Sequence, residues 1–453
     1  MKTTIDLIGN TPLVEVKCFD IGPSRLFLKL ENQNPGGSIK DRIGLSMIEQ
    51  AEQEGKLKPG YTLVEATAGN TGLGLALAAI TKGYKLILVI PDKMSTEKVH
   101  HLKALGVEIV LTRSDVEKGH PDYYQDLAER IAKETPNSFF VNQFNNPANP
   151  LAHERTTGPE IWEQTEQQVD AIVVGVGSAG TLKGLTNYFK RVKPDLDMVL
   201  ADPDGSILVD YVEGNPLPPA GSWLVEGIGE DFIPMQFDDS LIRHAYRVTD
   251  QESFDAARTL LRKEGILAGS SSGTLISAAV KYAREQTEAK NIVTFVCDSG
   301  NKYLTKMFND FWMMDRGLLS KPEASGLDEI ITRKYSERSV ITVGPNDSLL
   351  NAHSKMSLYD ISQIPVFEDS KVVGIIDEWD ILTAVENGDE RLLKEPVRNY
   401  MSKDVVSVPF EADLTEVVRI LKEGYLVIVT KGTSFYGVIT KTDYIHYLRR
   451  KLK

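Results

Sequence analysis

The chain has 453 residues, 42% apolar and 25% charged, with a net charge of −13, which is room for two or three globular domains. The acidic balance argues against nucleic acid or an anionic membrane as partner, because either would need a basic face. Its only two cysteines, Cys18 and Cys297, lie far apart and suggest neither a disulfide framework nor a thiolate zinc site. The first residues lack an apolar signal core, and no uncharged apolar run is long enough to span a membrane. A cytoplasmic protein acting on small molecules is expected.

In chain order, residues 26–30 read as a strand, and Ile43, Leu45, Met47, Ile48 and Ala51 as the apolar positions of a helix. Between them lies Asn34-Pro35-Gly36-Gly37-Ser38-Ile39-Lys40-Asp41-Arg42. Ser38 and Asp41 have capping-box spacing, which places Lys40 at the mouth of the helix. Two adjacent glycines let backbone approach a flat ligand, and a lysine in a closed pocket there can form a Schiff base. By itself the pattern is the ordinary one of a solvated helix start, and only the loops that follow point away from that.

Strands follow at 62–65, 85–90, 108–111, 171–174 and 291–296, with helices between them and Gly55, Gly83 and Gly106 as stops. This alternation predicts open, mostly parallel α/β sheets. Three loops each follow a strand or open a helix. Thr67-Ala68-Gly69-Asn70-Thr71-Gly72 offers backbone N–H groups to a carboxylate. Gly175-Val176-Gly177-Ser178-Ala179-Gly180-Thr181 offers amides and two hydroxyls without the lysine or arginine that a polyphosphate needs, which suits a monophosphate. Gly269-Ser270-Ser271-Ser272-Gly273-Thr274 opens a helix from Leu275 and can present a neutral hydroxyl to a ring nitrogen. His100 and His101 are adjacent, so they do not share a helix face, and no metal site is expected.

From residue 320 the texture becomes small, polar and turn-prone, and residues 320–334 read as a linker after a first domain of residues 1–319. The remaining residues, 335–453, contain a repeat. Val373-Gly374-Ile375-Ile376-Asp377-Glu378-Trp379-Asp380 matches Tyr436-Gly437-Val438-Ile439-Thr440-Lys441-Thr442-Asp443, with glycines and aspartates at one offset (437 − 374 and 443 − 380). The copies span about 335–390 and 397–453. Gly175-x-Gly177-x-x-Gly180 with Asp202 beyond it also satisfies a dinucleotide fingerprint. The late position of that fingerprint and the other loops favour pyridoxal 5′-phosphate over a nicotinamide cofactor.

The stretch 36–42, the 67–72 loop, Gly177 to Thr181 and Glu226-Gly227-Ile228-Gly229 together resemble the cystathionine β-synthase family. The repeat resembles the paired CBS motifs of a Bateman module. The resemblance implies a fold type II pyridoxal-phosphate enzyme of two α/β subdomains, followed by an α+β tandem CBS unit. It implies Lys40 as the Schiff-base lysine and Asn70 at the ring hydroxyl. Gly177, Ser178, Ala179, Gly180 and Thr181 would hold the phosphate, and Ser271 would face the pyridine nitrogen. Thr67, Ala68, Gly69, Asn70 and Thr71 with Gln143 and Gly227 would receive the substrate. The implied reaction joins serine and homocysteine to cystathionine, with hydrogen sulfide as a side product when cysteine is used. In the second unit, Thr440 and Asp443 would hold the ribose of S-adenosylmethionine or an adenine nucleotide, while Asp377 replaces the hydroxyl residue of the first copy.

Departures from the family pattern bear on the donor. Ala68 stands where many relatives have serine, and Phe144 and Glu230 stand where animal enzymes have tyrosine. Each makes O-acetylserine a more credible donor, because acetate leaves without a proton, and the alternative activity is that of an O-acetylserine-dependent cysteine synthase or cystathionine synthase. The Cys/His segment that binds haem in animal members is missing before Ile5, so no haem is expected. A homodimer or larger homo-oligomer is the family expectation. The reading of a different class is a nucleotide-sensing protein whose α/β unit has lost catalysis.

Overall fold

The computed structural model describes residues 2–67, 69–92, 96–113, 115–116, 119–319, 326–369, 371–386 and 390–451. The chain divides into two compact units, Met1–Phe308 and Asn309–Lys453. No helix among the described residues is long and apolar enough to cross a membrane.

The first unit holds two sheets. Strands β1 (Leu13–Val16), β2 (Arg25–Lys29), β7 (Ala171–Gly175), β8 (Asp197–Pro203), β9 (Ile242–Val248) and β10 (Asn291–Phe295) lie in the order β1-β2-β10-β7-β8-β9. Only β1 is antiparallel to its neighbour. Strands β3 (Thr62–Ala66), β4 (Lys85–Pro91), β5 (Glu108–Thr112) and β6 (Ser138–Phe140) form a parallel sheet in the order β5-β4-β3-β6. The chain starts in the larger sheet, builds the smaller one, and returns. In β4 the run Leu86 to Pro91 is buried at every position, as expected of a parallel strand covered on both faces.

Helix α1 (Lys40–Gln53) leaves β2 and crosses to the smaller sheet, burying Ile43, Met47, Ile48 and Ala51. It packs on α2 (Asn70–Lys82) at backbone distance. A Cβ on Gly44 would lie 2.5 Å from the carbonyl carbon of Gly74, and one on Gly74 would lie 2.6 Å from Lys40 O. This approach puts the first turn of α1, with Lys40, beside α2. The expected capping box is not formed: α1 starts at Lys40 without a side-chain cap. Ser38 Oγ accepts from Lys40 N at 3.3 Å, while the Asp41 carboxylate turns back to accept from Gly36 N at 2.5 Å. Asp41 is thus used to close the glycine turn. Gly83 and Gly106 stop their helices in left-handed conformation, φ 78° and 76°. The helix expected from Leu275 begins earlier, at Ser270, so that the three serines belong to its first turn. Strands β1, β6 and β9 were not among those expected; β6 is three residues long, and β9 is an edge strand with exposed Arg243 and Arg247.

A buried ion network anchors α1. The Arg42 guanidinium donates to Glu31 at 2.7 and 2.8 Å and to Glu160 at 2.7 and 2.7 Å, and Lys29 donates to Glu160 at 2.6 Å. Lys29, Glu31 and Arg42 are almost wholly buried.

In the second unit, β12 (Gln363–Glu368) pairs with β13 (Lys371–Asp377), and β11 (Arg333–Lys334), β14 (Ser407–Pro409), β15 (Val427–Lys431) and β16 (Ser434–Ile439) form a sheet ordered β11-β16-β15-β14. Residues 320–325 of the expected linker lie outside the described residues. The rest of it is built into this unit, with Leu327, Ile330 and Ile331 buried against Val408 and Val417. The unit also begins earlier than residue 335, since the helix Asp310–Asp315 packs near the last helix, where His446 Nδ1 lies 3.6 Å from Asp315.

Replacing Arg42 with methionine would leave Glu31 buried without its counter-ion. Breaking a buried pair from one side costs about 3–5 kcal/mol. R42M is therefore expected to lower the thermal midpoint of the first unit sharply in a calorimetric scan, whereas R25M at the exposed Arg25–Glu15 pair is expected to change it little.

Candidate active site

A cavity of about 370 Å³ opens between the two sheets of the first unit, within the size range of small-ligand sites. Lys40, Thr67, Gly69, Asn70, Thr71 and Gln143 line one part of it, and Gly177, Ser178, Ala179, Gly180, Thr181, Gly227 and Ser271 the rest. Of the expected residues in this unit, only Ala68 lies outside the described residues. Thr440 and Asp443 belong to the second unit.

Lys40 reaches the cavity from the first turn of α1. Burial pulls its amine below the ordinary lysine value, opposed by Cys297, Asp298 and Glu230. This favours the neutral, nucleophilic form. The loop before α2 supplies hydroxyls and amides. Thr71 Oγ1 donates to Gln143 Oε1 at 2.7 Å, which leaves the Gln143 amide nitrogen as the donor for a ligand. Gln143 N in turn donates to Glu65 Oε2 at 3.0 Å. Burial raises Glu65 to about 8.

Opposite, β7 ends at Gly175 and the helix Gly180–Val192 begins after a single left-handed residue, Ala179 at φ 64°. No side chain caps that helix, so its first N–H groups remain for an anion. Two glycines here are dictated by space. A Cβ on Gly177 would lie 2.7 Å from Gly227 O, and one on Gly180 would lie 1.9 Å from Asn149 Oδ1. Asn149 donates to Gln143 O at 2.9 Å and to Ser178 Oγ at 3.0 Å, and its own Oδ1 is buried without a partner. Thr181 Oγ1 lies 3.2 Å from His153 Nε2, and His153 Nδ1 lies 2.9 Å from Thr157 Oγ1. Burial and the charges of Lys40 and Arg42 push His153 well below its ordinary value, so the ring is neutral. Asn149 and His153 were not singled out from the sequence, although Gln143, six residues before Asn149, was; what brings them to the cradle is the fold.

Of the three serines, only Ser271 lines the cavity. Ser270 Oγ accepts from Glu226 N at 3.1 Å, and Ser272 Oγ from Cys297 N at 2.9 Å. Cys297 is lifted by burial to about 12, which disfavours its thiolate. Asp202, which the dinucleotide reading required at a ribose, is buried at the end of β8 and accepts from Val209 N at 3.2 Å. It does not line the cavity. Glu226 is held by Lys98 and, at 2.6 Å, by Lys306. Among the described residues no cluster of His, Cys, Asp or Glu could hold a metal ion.

Comparison with known families decides between the readings. The family of pyridoxal-phosphate dependent enzymes matches residues 4–298, and the CBS domain family matches residues 329–387 and 397–450. This chain belongs to the pyridoxal-phosphate dependent enzymes. It is 35% identical to the cystathionine β-synthase of Apis mellifera, over 99% of this chain and 91% of that protein. It is 44% identical to cysteine synthase A of Escherichia coli, over 67% of this chain and 94% of that protein. The structure of the O-acetylserine dependent cystathionine β-synthase from Helicobacter pylori superposes with a TM-score of 0.62 at 36% identity, covering 68% of this chain and 98% of that one. The chain thus combines a fold type II catalytic unit with a tandem CBS unit, in the manner of the cystathionine β-synthases.

The cavity fits the cofactor of this family. A backbone cradle from Gly177 to Gly180, kept open by two glycines and free of lysine and arginine, suits a monophosphate; the buried, unpartnered Asn149 Oδ1 stands beside it. The Lys40 amine lines the same cavity.

Glu65 gives a pH test of this region. Its pKa in the fold, about 8, lies above the unfolded value, so its contribution to stability is fully present below about pH 4.5 and is lost as pH rises through 8. The variant E65Q is expected to gain stability relative to the wild type between pH 5 and pH 8, read as the difference in thermal midpoints of the cofactor-free proteins.

Proposed function

We propose that this enzyme joins L-serine and L-homocysteine to cystathionine by β-replacement. The observation that carries the reading is the buried Lys40 amine in one cavity with an anion cradle at Gly177 to Thr181 and a polar set at Thr67, Thr71 and Gln143 in which Thr71 frees the Gln143 amide nitrogen as donor. When bound, pyridoxal 5′-phosphate supplies the electron sink that acidifies the substrate Cα–H and lets a β-substituent leave.

In this reading Lys40 anchors the cofactor through its Nζ, with Asn70 at the ring hydroxyl and Ser271 at the ring nitrogen. The backbone from Gly177 to Thr181 holds the phosphate. A neutral serine, unlike an aspartate, would not hold the ring nitrogen protonated, which favours elimination over long-lived charge at Cα. Thr67, Ala68, Gly69, Thr71, Gln143 and Gly227 bind and orient the amino acid. The Lys40 amine would take the Cα proton and later return it to Cα. Homocysteine thiolate adds at Cβ after the hydroxyl has left as water, and cysteine as donor would release hydrogen sulfide. Burial lifts the Glu230 carboxyl to about 8 in the same cavity. An acid kept protonated there would supply a proton to a departing hydroxyl, which supports serine as donor.

A second reading keeps O-acetylserine as donor, favoured by Phe144, which lines the cavity against Phe232 at 6.0 Å, and by the name of the Helicobacter relative. In the second unit we propose an adenine nucleotide or S-adenosylmethionine site at Thr440 and Asp443, and assembly as a homodimer or larger homo-oligomer. The Asp443 carboxylate already accepts from Thr440 N at 2.8 Å, from Thr440 Oγ1 at 2.6 Å and from Thr332. A ribose would have to replace one of these bonds.

The visible spectrum of the cofactor-loaded protein tests the donor. A shift with serine that homocysteine restores is the expected result, while a shift with O-acetylserine alone would turn the assignment to the second reading. K40A is expected to lower the rate of cystathionine formation about 10³-fold; a near wild-type rate would overturn the mechanism. Calorimetric titration of S-adenosylmethionine and ATP is expected to give heat that D443N abolishes, and no heat with the wild type would remove the ligand proposal.

A further inference from the structure

Asn70 stands in a network that the proposed chemistry does not by itself require. Lys302 Nζ donates to Asn70 Oδ1 at 2.6 Å and, more weakly, to Gly36 O at 3.3 Å and Gly37 O at 3.4 Å. Asn70 Nδ2 donates to Asp298 Oδ2 at 2.8 Å, and the Tyr303 hydroxyl donates to the same oxygen at 2.8 Å. Asp298 is 1% exposed, and a Cβ on Gly269 would come within 1.9 Å of its Oδ1. The carboxylate is therefore wedged in place, and position 269 must be glycine.

An ammonium group has donors only, so the end of the Asn70 amide that faces Lys302 must be the oxygen. The nitrogen is then turned to Asp298, which takes one of its two hydrogens. The second hydrogen belongs to a side chain that lines the cavity. The Asp298 carboxylate, an acceptor only, demands the same orientation from the other end, so the amide is clamped at both ends and loss of Lys302 removes one of the two clamps.

We propose that Lys302 is a positioning residue for the cofactor, holding the Asn70 amide as a donor and tying it to the Gly36-Gly37 turn that leads into Lys40. The same ammonium thus links two chain segments, the turn before α1 and the first residue of α2, that must be placed together before the cofactor can meet both. The inference rests on the reading of Asn70 as the side chain at the cofactor's ring oxygen.

A double-mutant cycle on the full chain tests it. The wild type, K302M, N70A and K302M/N70A proteins are freed of cofactor and titrated with pyridoxal 5′-phosphate, following visible absorbance. Thermal midpoints of the cofactor-free forms are recorded beside them. K302M is expected to weaken cofactor binding about tenfold, the scale of one hydrogen bond to a charged group. In the N70A background, Lys302→Met is expected to change affinity less than about twofold, because the two residues act as one unit. Equal factors in both backgrounds, or a K302M protein with wild-type affinity and only a lower thermal midpoint, would overturn the proposal. An N70A protein with unchanged affinity would instead sink the reading of Asn70 on which it rests. If K302M does not fold, K302Q supplies the same cycle, since it removes the charge and keeps most of the bulk.

Discussion

The guanidinium of Arg42 is buried beside two carboxylates, and that need for charge neutralisation organises the catalytic unit. A single buried ion costs several kcal/mol of lost hydration, so Arg42 is tolerable only while Glu31 and Glu160 both reach it. Glu31 follows β2, Arg42 lies in the first turn of α1, and Glu160 arrives from a helix more than a hundred residues later. Lys29, Thr11 and Gln164 complete the set, with Lys29 Nζ on Thr11 O at 2.6 Å and on Gln164 Oε1 at 2.8 Å. The network therefore fixes where α1 starts. Lys40 is two residues away from its centre, so the reactive amine inherits a rigid foundation from charges that never touch a ligand. The close approach of α1 and α2 then sets the Lys40 turn against Asn70.

Around that amine, burial drives one titratable group after another toward its neutral form. Lys40 and His153 are pulled down, while Glu65, Glu230, Cys297 and Tyr303 are pushed up. The common cause is desolvation, which always disfavours the charged state. The consequence is a cavity that supplies donors, acceptors and a free amine with little fixed charge, so that a bound anionic cofactor brings the dominant charge itself. Charges that persist nearby are paired. Glu226 is held between Lys98 and Lys306, while burial also pulls Lys302 below the ordinary lysine value as it donates to Asn70 and the carbonyls of the glycine turn.

The repeat of the second unit has a structural meaning at its two glycines. A Cβ on Gly374 would lie 2.8 Å from Ser402 O, and one on Gly437 would lie 2.6 Å from Arg333 O. Each copy thus admits an antiparallel neighbour against its strand: the Ile375–Ser402 bridge in the first, β11 in the second. The aspartate of each copy serves its helix start, Asp380 by exchanging bonds with Asp377 and Asp443 with Thr440. In the second copy Thr332 adds a further hydroxyl, from the segment that precedes the first copy. The pseudo-symmetry is closed by that earlier segment, and this explains why residues that read as a linker are folded.

Local chemistry accounts for what the sequence determined. The strand and helix alternation, the stops at Gly83 and Gly106, the three glycine-rich loops and the candidate lysine all depend on residues within a few positions of one another, and so did their legibility. Spacing also carried the repeat, since Gly374 and Gly437 serve the same local approach. Spacing misled at Ser38 and Asp41, where the glycine turn claimed the carboxylate that a capping box would have used. Only the tertiary structure decided that Asn149 and His153 stand beside the anion cradle, that burial pushes the Glu230 carboxyl up, and that Lys302 grips Asn70 from 232 positions away. Such choices depend on distant segments meeting in a place without water, where hydrogen-bond partners and desolvation set each group's state, and neither quantity is written in the neighbourhood of the residue itself.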